Sequence, residues 1–87
     1  MKTSFQFITD MVQWLNTRVA RPGVTVHADT PLFEGGLIDS IRVLELIAWT
    51  EDAIGSMIPD AQIRMDNFRT VRRIAGVFIK EGADAAA

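Results

Sequence analysis

"LFEGGLIDSIRVLELIAWTED", Leu32 to Asp52, contains the change of pattern that decides the fold. Up to Asp39 there is no sustained period. Gly35 and Gly36 permit backbone angles that other residues avoid, so the chain can turn sharply here, while Leu37 and Ile38 anchor the turn on its apolar side. From Ser40 onward Ile41, Leu44, Ile47, Thr50 or Glu51, and Ile54 recur at spacings of 3 and 4, a helical stripe flanked by Val43 and Leu46. Asp39 is expected at the N-cap with Ser40 as the first helical residue, and Gly55 is placed to end the helix. About fifteen residues then make a rod of roughly 22 Å. A serine is left exposed at a helix start, beside an acid.

Upstream, Phe5, Ile8, Val12, Leu15 and Val19 fall at spacings of 3, 4, 3 and 4 and predict a first helix from Ser4 to about Val19. Phe7, Met11 and Trp14 follow a neighbouring stripe and widen its apolar face; both stripes are expected in the core. Pro22 and Gly23 end the helix. The segment from Ala20 to Asp39 has no second strand-like run to pair with Val24-Thr25-Val26, so it reads as a long loop. Loops of that length are uncommon in compact domains unless functional, and Leu32, Phe33, Leu37 and Ile38 would pin this one to the helices.

Downstream, Ser56 to Phe68 reads as a connector with one short helical turn near Asp66 to Phe68. Thr70 then caps a last helix in which Val71, Ile74, Val77 and Phe78 bury one face. Gly76 lies inside that helix, where it costs up to about 1 kcal/mol relative to alanine unless close packing needs it. Gly82 would supply the stop, and residues 83–87 read as a flexible tail. The whole is a small all-α bundle of three main helices, with a short extra turn and a long ordered loop between the first two.

The totals agree with one small domain. At 87 residues, 48% hydrophobic and 23% charged, the chain has the balance of a soluble globular protein. There is no cysteine for a disulfide or thiolate metal site, and the single histidine, His27, has no partner set for metal binding or catalysis. No secretory leader or membrane span is legible, which points to the cytoplasm. The net charge of −2 speaks against a nucleic-acid binder, although Arg64, Arg69, Arg72 and Arg73 cluster late in the chain. Arg69, Arg72 and Arg73 read more readily as a solvated, partner-facing surface of the last helix.

At Ser40 the unpaired N–H groups of a helix start and the macrodipole would favour a phosphate ester. Asp39 is suited to hold a divalent cation or to orient the serine. No obvious base lies near in sequence, and "GGLIDS" lacks the G-x-S-x-G spacing of a nucleophile elbow, so Ser40 is expected to be modified by another protein. Two other readings stand beside this one. One is a helical interaction or DNA-binding module with Ser40 as a cap; the other is a small hydrolase, which lacks its base.

"LFEGGLIDSIRVLELIAWTED" resembles the segment of acyl carrier proteins and peptidyl carrier domains that receives the 4′-phosphopantetheine arm. Gly36, Asp39 and Ser40 match the family's Gly-x-Asp-Ser type motif, "TPLFEGGLIDS" resembles the approach to it, and "FRTVRRIAGVF" resembles the lead-in to the last helix. The resemblance implies a three-to-four-helix bundle of the acyl-carrier type, a single carrier domain over residues 1–82, and no catalysis by the chain itself. Ser40 would bear the arm covalently and present an acyl or aminoacyl group as a thioester; Asp39 would help position the modifying transferase's metal ion. Ile41, Arg42, Glu45, Ala48 and Trp49 would meet partners, with Trp49 open between core and interface, and Leu44 and Ile47 would line the core.

The implied partners are a phosphopantetheinyl transferase, an acyl- or aminoacyl-activating ligase and a downstream acyltransferase or synthase, meeting a chain expected to be a monomer that binds no nucleic acid. Many fatty-acid carriers have a densely acidic second helix. Here Arg42, Ala48 and Trp49 interrupt it, which favours a specialised or aminoacyl carrier over a housekeeping fatty-acid one. Total length suggests a free-standing protein, and the bulky Phe5, Phe33, Phe68, Phe78 and two tryptophans would fill space that a sequestered fatty chain needs.

Overall fold

The computed structural model describes residues 3–19 and 22–79; Gly82 and the 83–87 segment lie outside them. Helix α1 spans Ser4–Trp14 and continues as a π-helical turn, Leu15–Val19. Helix α2 spans Arg42–Ile54, two 3-10 turns follow at Asp60–Gln62 and Met65–Phe68, and α3 spans Val71–Phe78. No strand occurs among the described residues. The chain is all-helical, with the long segment between α1 and α2 as expected.

The caps are local. Thr3 Oγ1 accepts the Gln6 N–H at 3.1 Å and Thr70 Oγ1 accepts the Arg73 N–H at 3.0 Å, each satisfying a donor that a helix start leaves without a partner. Gly55 closes α2 at φ 74°, a left-handed angle that a side chain would oppose, and its N–H donates to Glu51 O. Gly36 turns the loop at φ 76°, whereas Gly35 is outside the left-handed region; one of the two glycines makes the turn.

The core is Phe7, Met11 and Leu15 of the first helix, Leu46 and Thr50 of α2, and Val71, Ile74 and Ala75 of α3, closed by Val26, Leu32, Ile38, Ile58 and Phe68 from the connections. Two helical phases differ from the sequence expectation. In α1 the Phe7-Met11-Leu15 row faces inward, while Phe5 is 80% exposed and Ile8 and Val12 only flank the core. In α2 the inward residue is Leu46, and Leu44, expected beneath the helix, is 66% exposed; Ile47 is half-buried. Both helices carry two apolar rows, and a helix can turn only one fully inward.

Trp49 of α2 joins the layers. Its ring stacks on Trp14 with centroids 5.7 Å apart and meets the edge of Phe7 at 5.6 Å, which leaves it half-buried. Helix α1 also packs on α3, and Phe78 tilts over Phe68 at 5.4 Å.

Hydrogen bonds tie down the long loop. Asn16 clasps the backbone of Val26, Arg72 N–H donates to Ala28 O at 3.0 Å, and Leu32 N–H donates to Arg69 O at 2.9 Å. The Arg72 guanidinium also grips both oxygens of Asp29, at 2.8 and 3.2 Å. Buried Leu32 and Ile38 hold the same loop from beneath, and Ile38 N–H closes it on Leu32 O at 2.8 Å. The segment that ends in Asp39-Ser40 is thereby aimed.

Candidate functional site

The site begins where that loop stops. Asp39 is exposed, and its Oδ1 accepts the N–H of Ile41 at 3.0 Å and of Arg42 at 2.8 Å. These bonds hold the Asp39 carboxyl below its ordinary value of 3.8, the one from Arg42 most, with partial desolvation opposing and Ile41 adding to the lowering. Regular α2 starts at Arg42, two residues later than the sequence suggests, with Ser40 and Ile41 forming the turn that leads in. Asp39 caps across that turn.

This arrangement changes the chemistry at Ser40. Val43 N–H donates to Asp39 O at 2.9 Å and Leu44 N–H to Ile41 O at 3.2 Å, so four successive N–H groups at the start of α2 are already bonded. The expectation that free N–H groups here would receive a phosphate ester is therefore narrowed: the aspartate and the backbone have taken those of Ile41 to Leu44, and the N–H of Ser40 itself has no partner among the described residues. The Ser40 hydroxyl is exposed and makes no hydrogen bond with the described residues. It is left for chemistry from outside.

Beside Ser40 lies a cleft of about 410 Å³. Its floor and walls are apolar: Phe33, Ile38, Val43, Ile63, Met65 and Phe68. Asp39, Ser40 and Arg64 supply its polar edge. Phe33 and Phe68 line open space without filling it, and Phe5 stands on the surface, so the aromatic residues leave room next to the serine.

An exposed, unbonded hydroxyl at the mouth of an apolar cleft, on a turn fixed from both sides, fits a covalently attached arm. The family model for the phosphopantetheine attachment site matches residues 10–78, which includes the whole constellation. The chain belongs to that family. As a phosphopantetheine carrier, it holds the prosthetic group covalently on a serine. Among curated proteins, the search finds no match.

The other residues that the sequence singled out are distributed unevenly. Ile41 is 73% exposed, Ala48 is exposed, and Arg42 and Glu45 pair with each other at 3.2 Å on the surface of α2. Trp49 is half-buried against Phe7 and Trp14. Arg69 and Arg73 both face Asp66, at 2.6 and 3.8 Å, and Arg72 faces Asp29. His27 lies exposed in the loop, its N–H bonded to Thr30 Oγ1.

Sequence reasoning missed Ile63, Arg64 and Met65 as neighbours of Ser40. The available signal was two apolar residues flanking a basic one in a connector that otherwise needs neither. No helix among the described residues is long and apolar enough to cross a membrane.

Proposed function

We propose that Ser40 is the attachment point of the arm and that this carrier delivers an acyl or aminoacyl group between a loading ligase and a downstream acyltransferase or synthase. The observation that carries the reading is the Ser40 hydroxyl, exposed and unbonded at the lip of an apolar cleft inside the matched region. Both hydrogen bonds from the helix start go to Oδ1 of Asp39, which leaves Oδ2 to meet a metal ion brought by a phosphopantetheinyl transferase. The chain itself supplies a site and a shape, and the bond-making groups come from its partners.

The α2 surface supports a specialised or aminoacyl carrier. Arg42 and Glu45 pair with each other while Ile41 and Leu44 stand exposed, so at the start of α2 partners meet an apolar patch beside a neutralised ion pair, and the remaining acids of the helix, Glu51 and Asp52, lie at its far end. A fatty-acid carrier with a strongly acidic second helix would steer its enzymes by charge. The arginines of α3 are matched by Asp66 and Asp29, which weakens the alternative of a DNA-binding face. We place the work in the cytoplasm, with the chain as a monomer.

The test is intact mass after incubation with coenzyme A and a phosphopantetheinyl transferase. Wild-type chain gains one arm and Ser40→Ala gains none. No gain in wild type, or a gain that persists in Ser40→Ala, overturns the assignment. Intact mass of the protein purified from its own cells then identifies the cargo.

A further inference from the structure

The charges around Ser40 do not balance once an arm is attached there, and the inference that follows rests on that attachment. A phosphodiester brings a negative charge to a position beside the Asp39 carboxylate, which is held ionised by the N–H groups of Ile41 and Arg42 and so keeps those two donors from the phosphate. Like charges so close repel, and the helix dipole is answered already. A cation of the fold that reached this point would relieve the repulsion.

Among the described residues, Arg64 is the cation that lines the cleft. Arg42 is engaged with Glu45, Arg69 and Arg73 with Asp66, and Arg72 with Asp29. Arg64 is exposed, its guanidinium makes no ion pair or hydrogen bond with the described residues, and it lines the same cleft as Ser40 and Asp39. Its backbone is fixed, with the N–H donating to Gln62 O at 3.0 Å and the carbonyl accepting from Asn67 N–H at 2.9 Å. The side chain is anchored at its root and free at its tip.

We infer that the Arg64 guanidinium is the counter-ion of the arm's phosphodiester, bonding it at the mouth of the cleft beside Ser40. A guanidinium matches two phosphate oxygens at once. Holding the phosphate at the lip aims the rest of the arm along the apolar walls formed by Val43, Ile63 and Met65. The side chain thereby sets the direction in which cargo leaves the surface.

The experiment compares apo, holo and cargo-loaded protein, each confirmed by intact mass, using the Arg64 Nε–H resonance and the phosphorus-31 resonance of the arm. The expected result is a shift of the Arg64 signal on conversion from apo to holo, with the Arg18 signal unmoved. A phosphorus shift should distinguish wild type from Arg64→Gln, and the difference should shrink in 1 M salt, where the Debye length is about 3 Å. Arg64→Gln keeps the apo fold, since only the backbone of this residue is bonded.

Arm gained with the Arg64 and phosphorus signals unaltered overturns this inference alone. An Arg64 shift that appears only on loading assigns the guanidinium to the cargo and also overturns it. A chain that stays at apo mass overturns the attachment to Ser40 as well.

Discussion

The side-chain amide of Asn16 pairs with both backbone polar groups of Val26: Nδ2 donates to Val26 O at 3.0 Å, and Oδ1 accepts Val26 N–H at 2.7 Å. An amide is the one side-chain group that reproduces this strand-like pairing, since it offers a donor and an acceptor side by side. Asn16 sits in the π-helical turn that ends the first helix, and through this contact the long loop is attached to that helix. Asn16→Ala leaves the groups of almost fully buried Val26 unpaired, and chemical denaturation should show a loss of about 1–3 kcal/mol. Asn16→Asp keeps the acceptor and sets a carboxylate against the Val26 carbonyl, so it too should destabilise, less as acid protonates it.

Leu44 and Leu46 provide a matched pair. Leu46 is fully buried, and Leu46→Ala should cost about 2–5 kcal/mol in unfolding free energy. Leu44→Ala, at 66% exposure, should stay within about 0.5 kcal/mol of wild type. On the carrier reading its effect should appear instead as a raised KM of the loading ligase for the holo protein.

Gly76 is inside α3, exposed, with nothing within 4 Å of where a Cβ would stand and no left-handed angle to preserve. Close packing therefore does not require it. Gly76→Ala should raise stability by about 0.5–1 kcal/mol, read as an upward shift of the denaturation midpoint with unchanged slope.

Acid should loosen the fold through two carboxylates. Asp29 is held below 3.8 first by the hydrogen bond from Arg72 and then by that residue's charge, with desolvation opposing; Asp39 is held low chiefly by the Arg42 N–H. The unfolded chain takes up these protons before the native one does. Their stabilisation is therefore complete above the ordinary carboxylate range and is lost as pH falls through the native values. Carbon-13 titration should place both midpoints below 3.8, and Arg72→Gln should return that of Asp29 toward it.

Those residues also show which parts of the molecule are legible in sequence. Thr70 and Gly55 announce helix ends through chemistry local to the chain, and both function as read. Asp39-Ser40 was readable for the same reason, with an error of two residues because the aspartate caps across a turn. Helical phase was harder: Phe5-Ile8-Val12 and Phe7-Met11-Leu15 have equally good spacing, and only the position of Trp49 and α3 decides which row is enclosed. The Asn16–Val26 clasp and the approach of Arg64 to Ser40 left no periodic trace, since each joins a side chain to a distant segment through a single contact or a shared cleft.

Asp39 closes the start of α2 with its own oxygen, and that closure draws nothing from the side chain of Ser40. On the carrier reading, the bare and the laden molecule then share one silhouette. Enzymes that act in succession would recognise a common body and tell one stage from the next by what hangs from it. A single scaffold can thus serve a queue of visitors without refolding between them, and the order of the queue is written on the cargo.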